Sequence, residues 1–575
     1  MKFLKSFFTT VLAIFFSAGV LFVVLLAISS LFSEQEVYVK NNSYLHIHIG
    51  GELKSYIPPS ELNEVIGIPE KEISLHDIIF NLEKAALDDR IKGVVLKISP
   101  LGIGFSDILE VHQSIMRFRE SGKEVLAYLE FATLREYALA TAATHIYMPP
   151  ESVLYLNQLK GSLTFFKDTF KKFGIKADFI HAGKYKSAPE SFTRNSATKE
   201  NKEQTLDLIT EAQKIINQLI LKHRDISEKE LDLAYSKGMF PFLESAKDIH
   251  LIDDIRYWDD IQTELSGNHL KYNGILLPAY KKVSVPLLQD RSNKIAIIYA
   301  DGTIMSGNDT SSPVYGTIFG ANRVIKNLRN AVKDKKIKGI VLRLSSPGGS
   351  ATASDVLWRE ILKAREVKPV YASVGNLAAS GGYYTAMACN KIFVQKASII
   401  GSIGAFMGKY DLSELYKKFE MNTEYIKQKS SHDIDMFSLN RSFTMAERKI
   451  LQDNINIFYN RFVSKVAESR ELNIRDVEAI AQGRVWLSSD ERSSILYDHI
   501  GGLKETIDAL IAELELEKNP KLKIYPEQEK LFESLENAST AVQSIKQVAQ
   551  ADISWINAFL KPEIWAMTPY SIEIK

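Results

Sequence analysis

One long unit occurs twice in this chain, and the duplication limits its fold more than any other feature. Ile91-Lys92-Gly93-Val94-Val95-Leu96-Lys97-Ile98-Ser99 returns 246 residues later as Ile337-Lys338-Gly339-Ile340-Val341-Leu342-Arg343-Leu344-Ser345. The spacing holds downstream, where Tyr137 pairs with Tyr383 and Lys172-Phe173 with Lys418-Phe419. It slips by one at Gly238 and Gly483. Two repeats of this length are domains, not turns of a solenoid.

Within the second copy, apolar strand patterns at 294–299, 339–344, 370–374 and 391–394 alternate with helical patterns at 322–332, 354–364 and after Ser380. Continuous apolar strands separated by helices predict an α/β fold with mostly parallel sheets. Each copy adds a longer helical pattern, at 205–221 and at 450–466. The first copy is expected over residues 41–276 and the second over 293–512, joined by a polar, proline-containing link at 277–292. The charged tail at 513–575 has no counterpart in the first copy, and its pattern assigns it no role.

Residues 1–40 differ from the rest. No charged residue occurs between Phe7 and Phe32, and roughly 20 apolar residues suffice to cross a bilayer. Lys2 and Lys5 precede the run and Glu34 and Glu36 follow it. The positive-inside bias then predicts a single-pass transmembrane helix over 7–32, with the amino terminus cytoplasmic and the bulk of the chain outside; the alternative is a signal peptide cleaved at Ala27-Ile28-Ser29. The net charge of +1 gives no reason to expect nucleic acid as a partner. Cys389 is the single cysteine, so neither an intramolecular disulfide nor a cysteine-based zinc site is available. There is no P-loop, dinucleotide fingerprint, His-Glu-x-x-His motif or calcium loop, and the expectation is no cofactor and no metal.

Chemistry concentrates at Ala378-Ala379-Ser380-Gly381-Gly382, where a predicted strand passes into a predicted helix. A serine among small residues can be approached closely, and amides from Gly381 onward can face an anion beside its hydroxyl. Acyl transfer needs that pairing of nucleophile and oxyanion donors. The alternative is that Ser380 is a helix N-cap and nothing more. The first copy has lost these parts: Leu134, Arg135 and Glu136 stand opposite Ser380, Gly381 and Gly382. Its glycine loop, Pro100-Leu101-Gly102-Ile103-Gly104, has also departed from Ser346-Pro347-Gly348-Gly349-Ser350. The first copy in turn holds Lys184-Tyr185-Lys186-Ser187-Ala188, and the position of Lys186 is taken by His432 in the second. One copy keeps a serine and the other a lysine.

Four motifs in this order, Tyr185-Lys186-Ser187-Ala188, Ser346-Pro347-Gly348-Gly349, Ala379-Ser380-Gly381-Gly382 and Gly401-Ser402-Ile403-Gly404, behind an apolar run, resemble the signal peptide peptidase A family in its long, duplicated form (protease IV). The resemblance covers essentially the whole chain. It implies two tandem repeats of a Clp protease/crotonase-like fold, a homotetramer and a serine–lysine dyad. It further implies a bacterial inner (cytoplasmic) membrane protein whose catalytic portion is periplasmic or extracytoplasmic, acting on apolar peptides such as released signal peptides. Carried over by motif, Ser380 is the nucleophile and Lys186 the general base, rather than Lys184. Gly348, Gly349 and Gly381 would form the oxyanion hole, and Ser402 would orient the lysine.

Each assignment has a plainer counterpart. Lys186 could be a solvated lysine, Pro347-Gly348-Gly349 a turn, and Ser402 a turn residue. A Ser–His–Asp arrangement through His432 and Asp433 would need that histidine within hydrogen-bond reach of Ser380. Two other readings of the whole chain are a crotonase-like acyl-thioester enzyme and a membrane scaffold without activity.

Overall fold

The computed structural model describes residues 16–17, 19–20, 37–59, 72–267, 271–285, 290–312, 316–426, 434–517, 519–527, 565–567 and 573–574. The expected anchor at 7–32 falls almost wholly outside these residues, as do His432 and Asp433. Among the described residues no helix is long and apolar enough to cross a membrane.

Each repeat is built on a sheet of mostly parallel strands, as the apolar strand patterns predict. In the first, the order is Asp254–Ile255, His145–Met148, Glu124–Leu129, Ile91–Leu101, Ser43–Gly51 and Gly274–Leu276, with every pair parallel. In the second, Ile399–Gly401, Val370–Ala379, Ile337–Ser346, Asp290–Asp301 and Pro520–Tyr525 lie side by side in parallel. Val485–Leu487 closes one edge antiparallel. The repeat spacing is visible in the elements themselves, since the helices Phe105–Arg119 and Ala351–Arg365 occupy equivalent positions 246 residues apart.

Local signals start the helices where the sequence changes period. Ser74 and Asp77 form a capping box ahead of Leu75–Ala86, and Thr444 and Glu447 form another ahead of the long helix Met445–Arg470. Ser350 ends the short strand Gly348–Ser350, and its side chain accepts from the Ala353 N–H at 3.3 Å. One residue therefore fixes both the end of the glycine loop and the start of the next helix.

Neither repeat completes its core alone. Ile180 and Ala182, on the first repeat's strand Lys176–Ala182, are buried in the second core with Phe443, Leu451 and Ile403. In exchange, Val485 and Leu487 of the second repeat are buried in the first core. Lys176–Ala182 pairs antiparallel with Ala405–Asp411 from the second repeat over seven residues, holding the two copies edge to edge.

Three stretches differ from the sequence reading. The strand expected to end at 374 continues to Ala379, because Leu377–Ala379 finds a second partner in Ile399–Gly401 after a register shift on its other side. Residues 277–280, read as part of a polar link, form the short helix Leu277–Tyr280 with both end residues buried. In the tail, Pro520–Tyr525 adds an edge strand to the second sheet, and Trp565–Met567 joins a third sheet beside Gly348–Ser350.

Candidate active site

The extended strand Val370–Ala379 delivers Ser380 to the head of the helix Gly381–Ala386, with no exposed surface left on the serine. Its backbone sits at φ +55°, ψ −113°, in the half of the map that a Cβ disfavours. Holding a residue there costs about 1–3 kcal/mol and persists only where the surroundings fix it. Here the Ser380 N–H donates to Gly401 O at 2.8 Å and the Tyr384 N–H donates to Ser380 O at 2.8 Å. The hydroxyl makes no cap hydrogen bond, so Ser380 is not there as a helix cap. The turn aims the hydroxyl at an amine instead.

That amine is Lys186 Nζ, 2.8 Å from Ser380 Oγ, on a side chain only 1% exposed. It also donates to Ser402 Oγ at 3.0 Å and to Ser402 O at 3.1 Å. Burial holds its pKa well below the usual lysine range. Lys184, two residues earlier, is exposed, with its ammonium over the Tyr185 ring at 5.1 Å. Spacing alone could not separate the two lysines, but burial does.

The glycines beside the serine are required by close approach. A Cβ on Gly349 would lie 2.0 Å from Ile304 O, and one on Gly382 would lie 2.6 Å from Ser346 O. The Gly348 N–H donates to Ser346 Oγ at 3.1 Å, which pins the loop. Gly381 opens its helix, so its N–H has no intrahelical carbonyl to meet. In the first repeat the matching place is filled from within. There Glu136, standing where Gly382 does, accepts from the Leu101 N–H at 2.6 Å and the Thr133 N–H at 2.7 Å.

The family model described as peptidase family S49 matches the chain twice, over residues 117–270 and 363–517, starting 246 residues apart as the internal repeat does. The chain belongs to peptidase family S49. It is 32% identical to a protein named Serine protease SPPA, chloroplastic, from Arabidopsis thaliana, over 82% of this chain and 69% of that one. It is 28% identical to Protease 4 of Salmonella typhi, over 82% of this chain and 76% of the relative. A putative signal peptide peptidase SppA of Enterococcus faecium is 28% identical over 40% of this chain and 67% of its own length. As an S49 member the chain is a serine peptidase.

Around this S49 site stand residues that the sequence reading did not single out. Gln204, fully buried on the helix Lys199–His223, brackets the lysine turn by donating to Tyr185 O at 3.2 Å and Ser187 Oγ at 2.8 Å. Its carbonyl oxygen accepts from the Val485 N–H of the other repeat at 3.3 Å. Arg484 donates to Glu203 at 2.8 Å and Asp207 at 2.5 Å, and its guanidinium lies over Tyr185 and Trp486. Gly483 admits the lysine turn, since a Cβ there would lie 2.7 Å from Lys186 N. Of these, Gly483 alone left a trace in the sequence, as the repeat partner of Gly238.

Proposed function

We propose that the chain is a serine endopeptidase in which Ser380 is the nucleophile and Lys186 the general base, and that it digests apolar peptides, released signal peptides among them. The observation that carries this reading is a fully buried amine 2.8 Å from the serine hydroxyl. A neutral amine has two N–H donors and one lone pair. The carbonyl and hydroxyl oxygens of Ser402 accept the two N–H groups, which leaves the lone pair for the Ser380 O–H.

The steps follow from that geometry. Ser380 Oγ attacks the scissile carbonyl carbon while its proton passes to Lys186 Nζ. The amides of Gly381 and of the Gly348–Gly349 loop stabilise the oxyanion; loss of one such donor typically lowers turnover about 10²–10³-fold. The lysine ammonium then protonates the departing amine, leaving an ester on Ser380. Water, deprotonated by the same amine, hydrolyses the ester and frees the serine.

An apolar preference is supported by the buried cluster of Ala188, Ile318 and Phe406, with Phe179 and Met305 packed against it. The named activity of the Enterococcus faecium relative supports signal peptides as one source of such substrates. Each repeat, on this reading, has a Clp protease/crotonase-like fold. Residues 7–32 hold the chain in the bacterial inner membrane with its catalytic portion periplasmic, and four copies assemble. The test is hydrolysis of an apolar peptide by the full chain in detergent. Wild type cleaves it and Ser380→Ala does not; undiminished cleavage by Ser380→Ala ends the proposal. Membrane fractionation with external protease digestion tests the topology, and sedimentation of the detergent-solubilised chain tests the tetramer.

A further inference from the structure

The third sheet runs Thr310–Ser312, Gly316–Gly320, Thr303–Met305, Gly348–Ser350, Trp565–Met567, Ala405–Asp411 and Lys176–Ala182. Its fifth strand comes from the tail, far along the chain from both of its neighbours. Trp565–Met567 pairs antiparallel with the glycine strand, Met567 opposite Gly348, Ala566 opposite Gly349 and Trp565 opposite Ser350. On its other side Trp565 stands opposite Phe406, again antiparallel. Without this segment the sheet divides into two parts separated by a gap one strand wide. One edge of the gap is the glycine strand beside Ser380, and the other is the strand whose partner leads into the Lys186 turn.

Two unpaired strand edges facing each other across one strand's width form a peptide-binding cleft, because an extended chain satisfies both rows of backbone groups. We infer that this gap is the substrate-binding cleft, and that Trp565–Met567 occupies it as an internal competitor which an extended peptide must displace. The inference rests on the proposed peptidase reading. The segment matches the substrate class in composition, being tryptophan, alanine and methionine with Ile564 before it. It is also tethered beyond the cleft. Glu573–Ile574 pairs antiparallel with Gly161–Ser162 of the first repeat, so the tail crosses from the serine's repeat to the lysine's. A tethered occupant competes at an effective concentration set by its linker, in the millimolar range for short flexible ones.

The test uses the full chain with Ala566→Pro, which removes an N–H from the pairing and places a ring that sheet interiors exclude. Competition makes the apparent KM of wild type exceed the intrinsic value by the reciprocal of the open fraction. The variant is therefore expected to show an apolar-peptide KM lowered roughly threefold or more, with kcat unchanged. A synthetic peptide copying residues 561–571 should raise the variant's KM again. An independent readout is hydrogen exchange in the Ser380→Ala background, where the amides of 348–350 should exchange faster once Ala566→Pro is added. Unchanged exchange at 348–350, or an unchanged KM, overturns the inference. Hydrolysis that survives Ser380→Ala would instead defeat the peptidase reading, while the exchange result would still decide who occupies the cleft.

Discussion

At the scale of single residues, the site depends on one amine kept out of water. Burial lowers the Lys186 pKa; on the proposed mechanism its neutral amine is the base, and that form is lost as pH falls through the lowered value. The kcat/KM profile should therefore show an acid limb of one proton, and rates measured from pH 5 to pH 10 check it. The same shift runs against stability. Between the lowered value and the usual lysine range the unfolded chain binds more protons than the folded one, so stability rises with pH across that window. Lys186→Met should raise the thermal unfolding midpoint at neutral pH and flatten this dependence, at the expense of activity. Ser402→Ala removes one of the two oxygens that orient the amine, and should lower kcat with little change in KM and displace the acid limb. Residue types made Ser380 and Lys186 legible in the sequence, because a serine among glycines and the four-motif order are local facts. Which of Lys184 and Lys186 is buried is not local; it is set by distant contacts, among them the packing of the Gln482–Gly483 turn against Lys186.

Among elements, the decisive contact is between the glycine strand Gly348–Ser350 and the helix Gly381–Ala386. Gly382→Ala would put a Cβ 2.6 Å from Ser346 O, at the end of the strand Ile337–Ser346 that leads into the glycine strand, and on the proposed mechanism would displace the oxyanion donors. Its kcat should fall about 10²–10³-fold while circular dichroism is unchanged. The first repeat shows what the sequence does when this constraint is lifted, since Glu136 turns its carboxylate onto the Leu101 amide. Much of the element order was legible because apolar runs and helical periods are read within a dozen residues. The continuation of a strand to Ala379 was not, since it depends on a partner, Ile399–Gly401, that the run itself does not specify. The tail strands were hidden for the same reason: short segments take their strand character from the edges they meet.

For the whole molecule, two copies have become one enzyme by exchanging parts of their cores. One buried tie is Arg343, in the second repeat's sheet, whose guanidinium donates to Glu110 Oε2 at 2.5 Å and to Ser373 Oγ at 3.1 Å. Glu110, on a helix of the first repeat, also accepts from the Leu503 N–H at 2.5 Å. Removing Glu110 leaves the buried guanidinium only the more distant Asp107 carboxylate at 3.7 Å, so Glu110→Ala should cost about 3 kcal/mol in chemical denaturation. The duplication was legible from its 246-residue spacing, but how the copies interlock was not, because Gln204, Arg484 and Arg343 act across hundreds of residues. If lysine and serine, one from each repeat, are a single proton-transfer unit, their losses cannot multiply. The most direct measurement is therefore apolar-peptide hydrolysis by wild type, Lys186→Ala, Ser380→Ala and the double variant. All three variants should fall to the same residual rate; a double variant slower than either single by the product of their effects, or a Lys186→Ala chain as active as wild type, would contradict the account.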